Sequence, residues 1–239
     1  MNVFFKEYKI RQYSESSLII SWSNKKFDPD FVYHQQAFIT FLKKKDSHIT
    51  YLIPSFNALL INYEGQTNIN SKKVQMHSHI KDFSKSKIQF PEVETHQIPV
   101  CYEDFGLDLK VISEKTGLGI SDIIQMHSER TYTLFFIGFL PGFLYLGQLD
   151  ESLHFPRKET PRPEVEQGSI GIAEHQTGIY PNASPGGWQI IGRTPINIFD
   201  VNNNPPSSYK PGDKIKFKPI GRTEFDKLIN NPTIAVESI

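Results

Sequence analysis

Residues 8–13 (YKIRQY) and 17–22 (SLIISW) carry the short-period patterning and the β-branched and aromatic residues of strands. Asp28-Pro29 then supplies an N-cap acid and a proline for the first turn of a helix. Phe31, Phe38, Phe41 and Leu42 recur at helical spacing as far as Lys43-Lys44-Lys45, so this helix ends basic, as its macrodipole prefers. ITYLIP (49–54) and NALLINY (57–63) are short strands close enough to pair. Ser71 is placed to cap a second helix with Val74, Ile80 and Phe83 on one face, after which QIPVCY (97–102) returns to strand. From residue 17 the order is βαββαβ, that of a ferredoxin-like sandwich with two helices on one face of a four-stranded antiparallel sheet.

Beyond residue 100 the texture changes. Two short helical segments, Leu107–Lys115 and Ser121–Ser128, lead into a tract dense in glycine and proline. The runs TYTLFFIGF (131–139), GSIGIA (168–173), WQIIGR (188–193), INIFDV (196–201) and KIKFKPI (214–220) are separated by turns such as Pro211-Gly212-Asp213. That spacing predicts a closed or nearly closed β-barrel. The chain therefore reads as α+β, with an N-terminal ferredoxin-like α/β domain over residues 1–92 and a β-barrel domain over residues 93–239.

A length of 239 residues suits one large or two small domains, and an aromatic content of 13% excludes a disordered chain. Lys plus Arg and Asp plus Glu number 26 each, so no net field draws nucleic acid or anionic lipid, and any anion site is local. The single cysteine, Cys101, closes no intrachain disulfide and builds no thiolate metal site, which points to a reducing compartment, the cytoplasm by default. Lys6, Glu7 and Lys9 interrupt the region where a signal peptide needs an apolar run. The most apolar stretch, Leu134–Leu146, is too short to span a bilayer and is broken by Gly138, Pro141 and Gly142.

Gly117-Leu118-Gly119 begins like a dinucleotide-binding loop, but Asp122 stands where the third glycine belongs and no strong strand precedes it. A helix C-cap followed by Ser121 as N-cap accounts for these residues better. There is no Walker A lysine loop and no nucleophile elbow. His77 and His79, two apart on a helix, point away from each other and read as solvent-facing. Without an H-E-x-x-H pattern, paired cysteines or an acidic cluster at ligand spacing, no metal site is expected in this chain.

Residues 127–195 hold the candidate chemistry. Arg157 and Arg162 lie in a proline-braced segment, suited either to clamping a carboxylate or phosphate or to bracing turns. Ser184-Pro185-Gly186-Gly187-Trp188 lets the backbone approach a neighbour closely beside an indole, as a ligand floor or a buried barrel turn would. Gln176-Thr177-Gly178-Ile179-Tyr180-Pro181 places an amide, a hydroxyl and a phenol within one turn, a source of neutral hydrogen bonds. His127 is the best acid/base candidate because histidine alone titrates near neutrality unaided, although packing against the barrel explains it equally well. Phe136, Phe139, Phe143 and Tyr145 are spaced for a barrel core rather than a stacking platform.

At these residues the order HS…GFLPGFLYLG…PR…TPR…GSIGIA…QTGIYP…SPGGWQIIGRTP…FD…PGDKIKF resembles the family of the bacterial 5-oxoprolinase B subunits, also known as KipI-like or allophanate hydrolase subunit 1 proteins. The resemblance covers nearly the whole chain. It implies an N-terminal α/β domain followed by a cyclophilin-like barrel, and one component of an enzyme that works with a homologous C component and a further A component in the ATP-dependent opening of 5-oxoproline to glutamate. A lactam amide is a poor electrophile, and phosphorylation of its oxygen creates the leaving group that water alone cannot. The cofactor implied is ATP, with Mg2+, bound in the complex.

The same resemblance leaves two other readings: inhibition of a sensor histidine kinase, or a role within a urea carboxylase or allophanate-type enzyme. Carried over by position are His127, Pro141, Gly142, Phe143, Arg157, Arg162, Gln176, Gly178, Tyr180, Pro181, Gly186, Gly187, Trp188 and Arg193. Of these, His127, Arg157 and Arg162 are the catalytic candidates; Gln176, Gly178, Tyr180, Pro181, Gly186, Gly187, Trp188 and Arg193 are the substrate-binding ones. Leu140 and Leu144 stand where alanine and proline are common, and Glu174-His175 where glycine is often found, which adds charge and bulk near the expected pocket. No single segment offers both an anion clamp and a nucleotide loop. The expected site therefore lies between this barrel and its partner's, lined by Arg157–Arg162, Gln176–Pro181 and Gly186–Trp188.

Overall fold

The patterning over residues 8–22 becomes two paired strands, β1 (Tyr8–Ser14) and β2 (Ser17–Trp22), in a computed structural model that describes residues 7–23, 28–65 and 68–230. Most of the N-terminal stretch weighed as a leader lies outside the described residues. The chain divides into two compact units, Met1–Glu92 and Val93–Ile239.

In the first unit, helix α1 (Pro29–Lys45) starts where Asp28 accepts a hydrogen bond from the Asp30 N–H at 3.0 Å and ends on Lys43, Lys44 and Lys45. Strands β3 (Ile49–Pro54) and β4 (Ala58–Tyr63) follow, then helix α2 (Ile69–Lys85). The cap of α2 is Asn68, which accepts from the Ser71 N–H at 3.1 Å, so Ser71 lies inside the helix rather than capping it. The sheet order is β1-β2-β4-β3 with every neighbour antiparallel. Leu18, Ile20, Leu59, Ile61, Phe38 and Phe83 share one core, which joins the sheet to both helices.

This unit departs from the sequence pattern at three points. The strand after α2 does not return to this sheet; the place beside β2 is taken by β1. Val74 is exposed, because the buried face of α2 runs through Met76, Ile80 and Phe83 at spacings of four and three. His79 falls on that same face and is buried, whereas His77 is exposed and bonds to the Tyr8 hydroxyl at 2.9 Å.

The second unit contains β5 (Thr95–Val100), α3 (Leu109–Thr116), α4 (Ile120–Glu129), β6 (Thr131–Ile137), β7 (Leu144–Gly147), β8 (Arg162–Val165), β9 (Ser169–Ala173), β10 (Gln176–Ile179), β11 (Ser184–Gly186), β12 (Gln189–Arg193), β13 (Lys214–Pro219) and α5 (Arg222–Asn230). Seven strands form a curled sheet in the order β12-β9-β10-β7-β6-β13-β5, and β8 and β11 form a separate pair. The two edges of the large sheet meet just past β5, where Cys101 and Arg193 exchange both backbone hydrogen bonds at 2.9 Å. Gly192 permits that meeting: a Cβ there would stand 2.8 Å from Val100 Cγ1 and 3.0 Å from the Cys101 carbonyl oxygen.

Gly117, with φ +75°, ends α3 in the left-handed conformation, as its capping role requires. The N-cap of α4 is Gly119 rather than Ser121, with the Gly119 N–H bonded to the Asp122 carboxylate at 3.3 Å. INIFDV makes no strand; Ile196 and Ile198 enter the core from an irregular segment.

Candidate functional site

A cleft of about 410 Å³ opens on the second unit, walled by Phe139, Leu140, Phe143, Tyr145, Tyr180 and Trp188 and floored by the backbone of Ser184–Gly187. Phe143 is its hub. Its ring meets those of Tyr180 (5.0 Å, 86°) and Trp188 (5.4 Å, 83°) edge to face, the arrangement aromatic quadrupoles favour. Gly186 is fixed by close approach, since a Cβ would lie 2.5 Å from the Tyr180 hydroxyl oxygen. Burial raises the pKa values of Tyr145 and Tyr180, so both phenols are neutral hydrogen-bond donors near pH 7.

Arg157 brings the cation. Its guanidinium carbon lies 5.9 Å from the Trp188 ring centroid, and among the described residues it has no carboxylate partner and no hydrogen bond. Arg162, five residues on, is committed elsewhere: it donates to Asp108 at 2.7 Å and to the Trp188 carbonyl at 3.5 Å. Asp108 also accepts from Lys158 Nζ at 3.3 Å and from the Ile190 N–H at 2.6 Å. Burial alone would push the Asp108 carboxyl up, but the bonds from Arg162, Ile190 and Lys158 outweigh it and hold the pKa below the usual value. Lys158 N–H in turn bonds the Gly187 carbonyl at 2.7 Å, which fastens the segment carrying Arg157 to the floor of the cleft.

Asp108 was not legible as a site residue, because it falls within the segment Leu107–Lys115 read as helix and its partners are distant in the chain. It stands in the N-cap position of α3 yet makes no capping bond, its oxygens being taken by the cleft wall.

The structure thus brings Arg157, Phe143, Tyr180, Gly186, Gly187 and Trp188 to one cleft, with Arg162 bracing it from behind. It does not bring His127 there. His127 is fully buried, stacked on Phe217 with ring centroids 4.7 Å apart, and burial drives its pKa down to about 3. The Thr177 hydroxyl spends its hydrogen on the Gly171 carbonyl, so it accepts from His127 Nε2–H at 2.9 Å, and the Tyr102 hydroxyl donates to Nδ1 at 2.8 Å. Both nitrogens of a neutral imidazole are satisfied, which is a core role and not that of a proton carrier.

The segment read as a single turn is strand β10, so its side chains alternate between faces: Thr177 enters the core, and Gln176 and Gly178 do not line the cleft. Gly178 packs under Phe143 and the Leu144 carbonyl oxygen. Pro181 is buried beyond Tyr180 and is not a lining residue. Arg193 closes the sheet, pairs with Glu166 and lies over Phe105. Glu174 and His175 form the β9–β10 turn, where His175 Nδ1 meets His154 Nδ1 at 3.1 Å, and neither lines the cleft. Phe139, expected in the core, is 64% exposed at the mouth of the cleft.

Against a triphosphate the cleft by itself sets one cation, Arg157, and among the described residues no three His, Cys, Asp or Glu side chains converge to hold a metal ion. No helix among the described residues is long and apolar enough to cross a membrane.

The chain is of mixed α/β class and carries, on its second unit, an aromatic cleft with a single arginine beside its indole. The chain belongs to the family of the carboxyltransferase domain, subdomain C and D, which it matches over residues 8–209. It is 50% identical over 122 residues to the 5-oxoprolinase B subunit of Haemophilus influenzae, covering 51% of this chain and 57% of that one. It is 42% identical over 130 residues to the protein of the same name from Bacillus subtilis, 54% of each chain. The crystal structure of PH0987, a conserved uncharacterized protein from Pyrococcus horikoshii, matches with a TM-score of 0.54 at 34% identity, over 91% of this chain and 100% of that one. The chain spans a little over half the length of the curated relatives it matches.

Proposed function

We propose that this chain is the B component of an ATP-dependent 5-oxoprolinase, opening 5-oxo-L-proline to L-glutamate in the cytoplasm together with the C and A components. The observation that carries the reading is the unpaired Arg157 beside Trp188 in a small aromatic cleft. A five-membered lactam bearing one carboxylate has the shape and the charge for it, whereas urea has no carboxylate for Arg157 to pair with. The two neutral phenols, Tyr145 and Tyr180, supply donors for a lactam carbonyl. We read the first unit as a ferredoxin-like sandwich whose outer strand comes from β1, and the second as a cyclophilin-like barrel.

The cleft holds no titratable group near neutrality and no triphosphate site, so ATP and the reacting water are handled by the assembly and the chain alone is inactive. The test is to assay ADP and glutamate from 5-oxoproline with the complete set and with each component omitted in turn. Glutamate formed at the full rate without this chain would sink the reading. Binding to a sensor histidine kinase with loss of its autophosphorylation, and no turnover with the C and A components, would replace it by the regulatory one.

A further inference from the structure

Phe139 stands between Gly138 and Leu140 in the connection from β6 to β7 with a φ of +68°, a region that residues with a Cβ rarely enter. The Leu140 N–H donates to the Gly138 carbonyl at 2.9 Å around it, the hydrogen-bond pattern of a γ-turn, and the positive-φ form of that turn is rare and strained. Glycines lie on either side, at 138 and 142, yet the strained position falls on the phenylalanine. The loop is pinned as well, Gly138 N–H to the Phe143 carbonyl at 3.2 Å and Phe143 N–H to the Leu140 carbonyl at 3.1 Å.

What the strain achieves is placement. The ring is held 64% exposed at the mouth of the cleft and touches Phe143 only edge-on, 5.7 Å between centroids at 88°. An apolar ring kept in water by a strained backbone gains nothing for the chain by itself; burial against a ligand would recover the lost hydrophobic stabilisation.

We infer that Phe139 covers the ring of the bound substrate while Arg157 takes its carboxylate, so that Phe139 selects small cyclic carboxylates over acyclic ones. The inference rests on the reading of the cleft as the 5-oxoproline site. The product has an open chain with an added carboxylate and ammonium, which an apolar cover disfavours, so the same ring that holds the lactam promotes release of glutamate.

The experiment uses the complex with the C and A components and compares wild type with Phe139→Gly, Phe139→Tyr and Arg157→Ala. Phe139→Gly removes the ring and relieves the backbone, so this chain should melt at a higher temperature while the KM for 5-oxo-L-proline rises about tenfold. Phe139→Tyr, which keeps a ring, should restore KM to within about twofold of wild type. An unchanged KM in Phe139→Gly with a raised KM in Arg157→Ala would overturn the role of Phe139 and leave the cleft as the site. Unchanged KM in both would retire the cleft and this inference together. Lower stability in Phe139→Gly, or loss of assembly with the C component on size-exclusion chromatography, would assign the ring to packing or to an interface between components and overturn the inference too.

Discussion

Arg162 donates to Asp108 at 2.7 Å, and that pairing withdraws from the cleft one of the two arginines that the proline-braced segment presents. Asp108 is 3% exposed in its side chain and Arg162 20%, so the carboxylate has lost most of its water and depends on its partners. Replacing Asp108 by Ala should destabilise the chain by about 2–4 kcal/mol, and Arg162→Ala by about 1–2 kcal/mol. The double variant should lose less than the sum, because each single change already breaks the same contact. Urea unfolding of the three variants checks this; strictly additive losses would mean that the pair is not coupled.

Arg157 is exposed and has no carboxylate or hydrogen-bond partner among the described residues, so its removal acts on the ligand and not on the fold. In the assembled enzyme, Arg157→Ala should raise the KM for 5-oxoproline by about 10- to 100-fold, the range expected for losing a charge-assisted hydrogen bond to a carboxylate. Its stability should stay within about 0.5 kcal/mol of wild type. Steady-state kinetics with thermal melting separates the two arginines: Arg162→Ala should show the opposite balance.

Local chemistry was legible wherever it decides the outcome by itself. Asp28-Pro29 and the three lysines bound α1 as read, and Gly117 is the left-handed cap. What a strand pairs with is not local. QIPVCY has strand patterning whichever sheet takes it, and nothing within those residues says that β5 lies parallel to β13. The same limit explains QTGIYP, where Gly178 and Pro181 suggested a turn but pairing with β7 and β9 extends the segment and splits its polar side chains between faces. Arg157, Tyr180, Gly186 and Trp188 were legible as candidates because loop positions, Gly-Gly and an adjacent indole favour an exposed pocket. Asp108 was not, since its partners lie about 50 and more positions away in the chain.

Closure of the large sheet depends on the absence of one side chain. A methyl group at Gly192 would press on Val100 and on the Cys101 carbonyl at the bridge that joins the edges. Gly192→Ala should destabilise by about 1–3 kcal/mol, as overpacking in a filled core does. Gly221→Ala, where a Cβ meets nothing within 4 Å, serves as a control and should stay within about 0.5 kcal/mol. Amide exchange adds a local readout: the Cys101 and Arg193 amides should lose protection in Gly192→Ala beyond the global change, and equal loss throughout the unit would show that the bridge has no special role.

His127 fixes a direction in which acid moves the stability of the chain. In the folded chain burial holds its pKa down to about 3, while the unfolded chain takes up a proton near the ordinary value of 6.5. Between those limits the unfolded state binds a proton that the folded state refuses, so stability falls as pH falls; above about 6.5 both states are neutral and the group adds no pH dependence. Near pH 5 the slope from this one group approaches about 1.4 kcal/mol per pH unit. The comparison is with His127→Gln, which cannot titrate, in urea unfolding from pH 7.5 to 4.5. Asp46 and Asp108, both held below the usual carboxylate value, add their own loss of stability from about pH 5 downward as the unfolded chain takes up their protons, but they do so equally in wild type and variant and cancel in the comparison. Wild type should lose stability faster than the variant by close to one proton's worth below pH 6. Parallel profiles would mean that the imidazole reaches a proton in the folded chain, and His127 would return as a candidate acid/base.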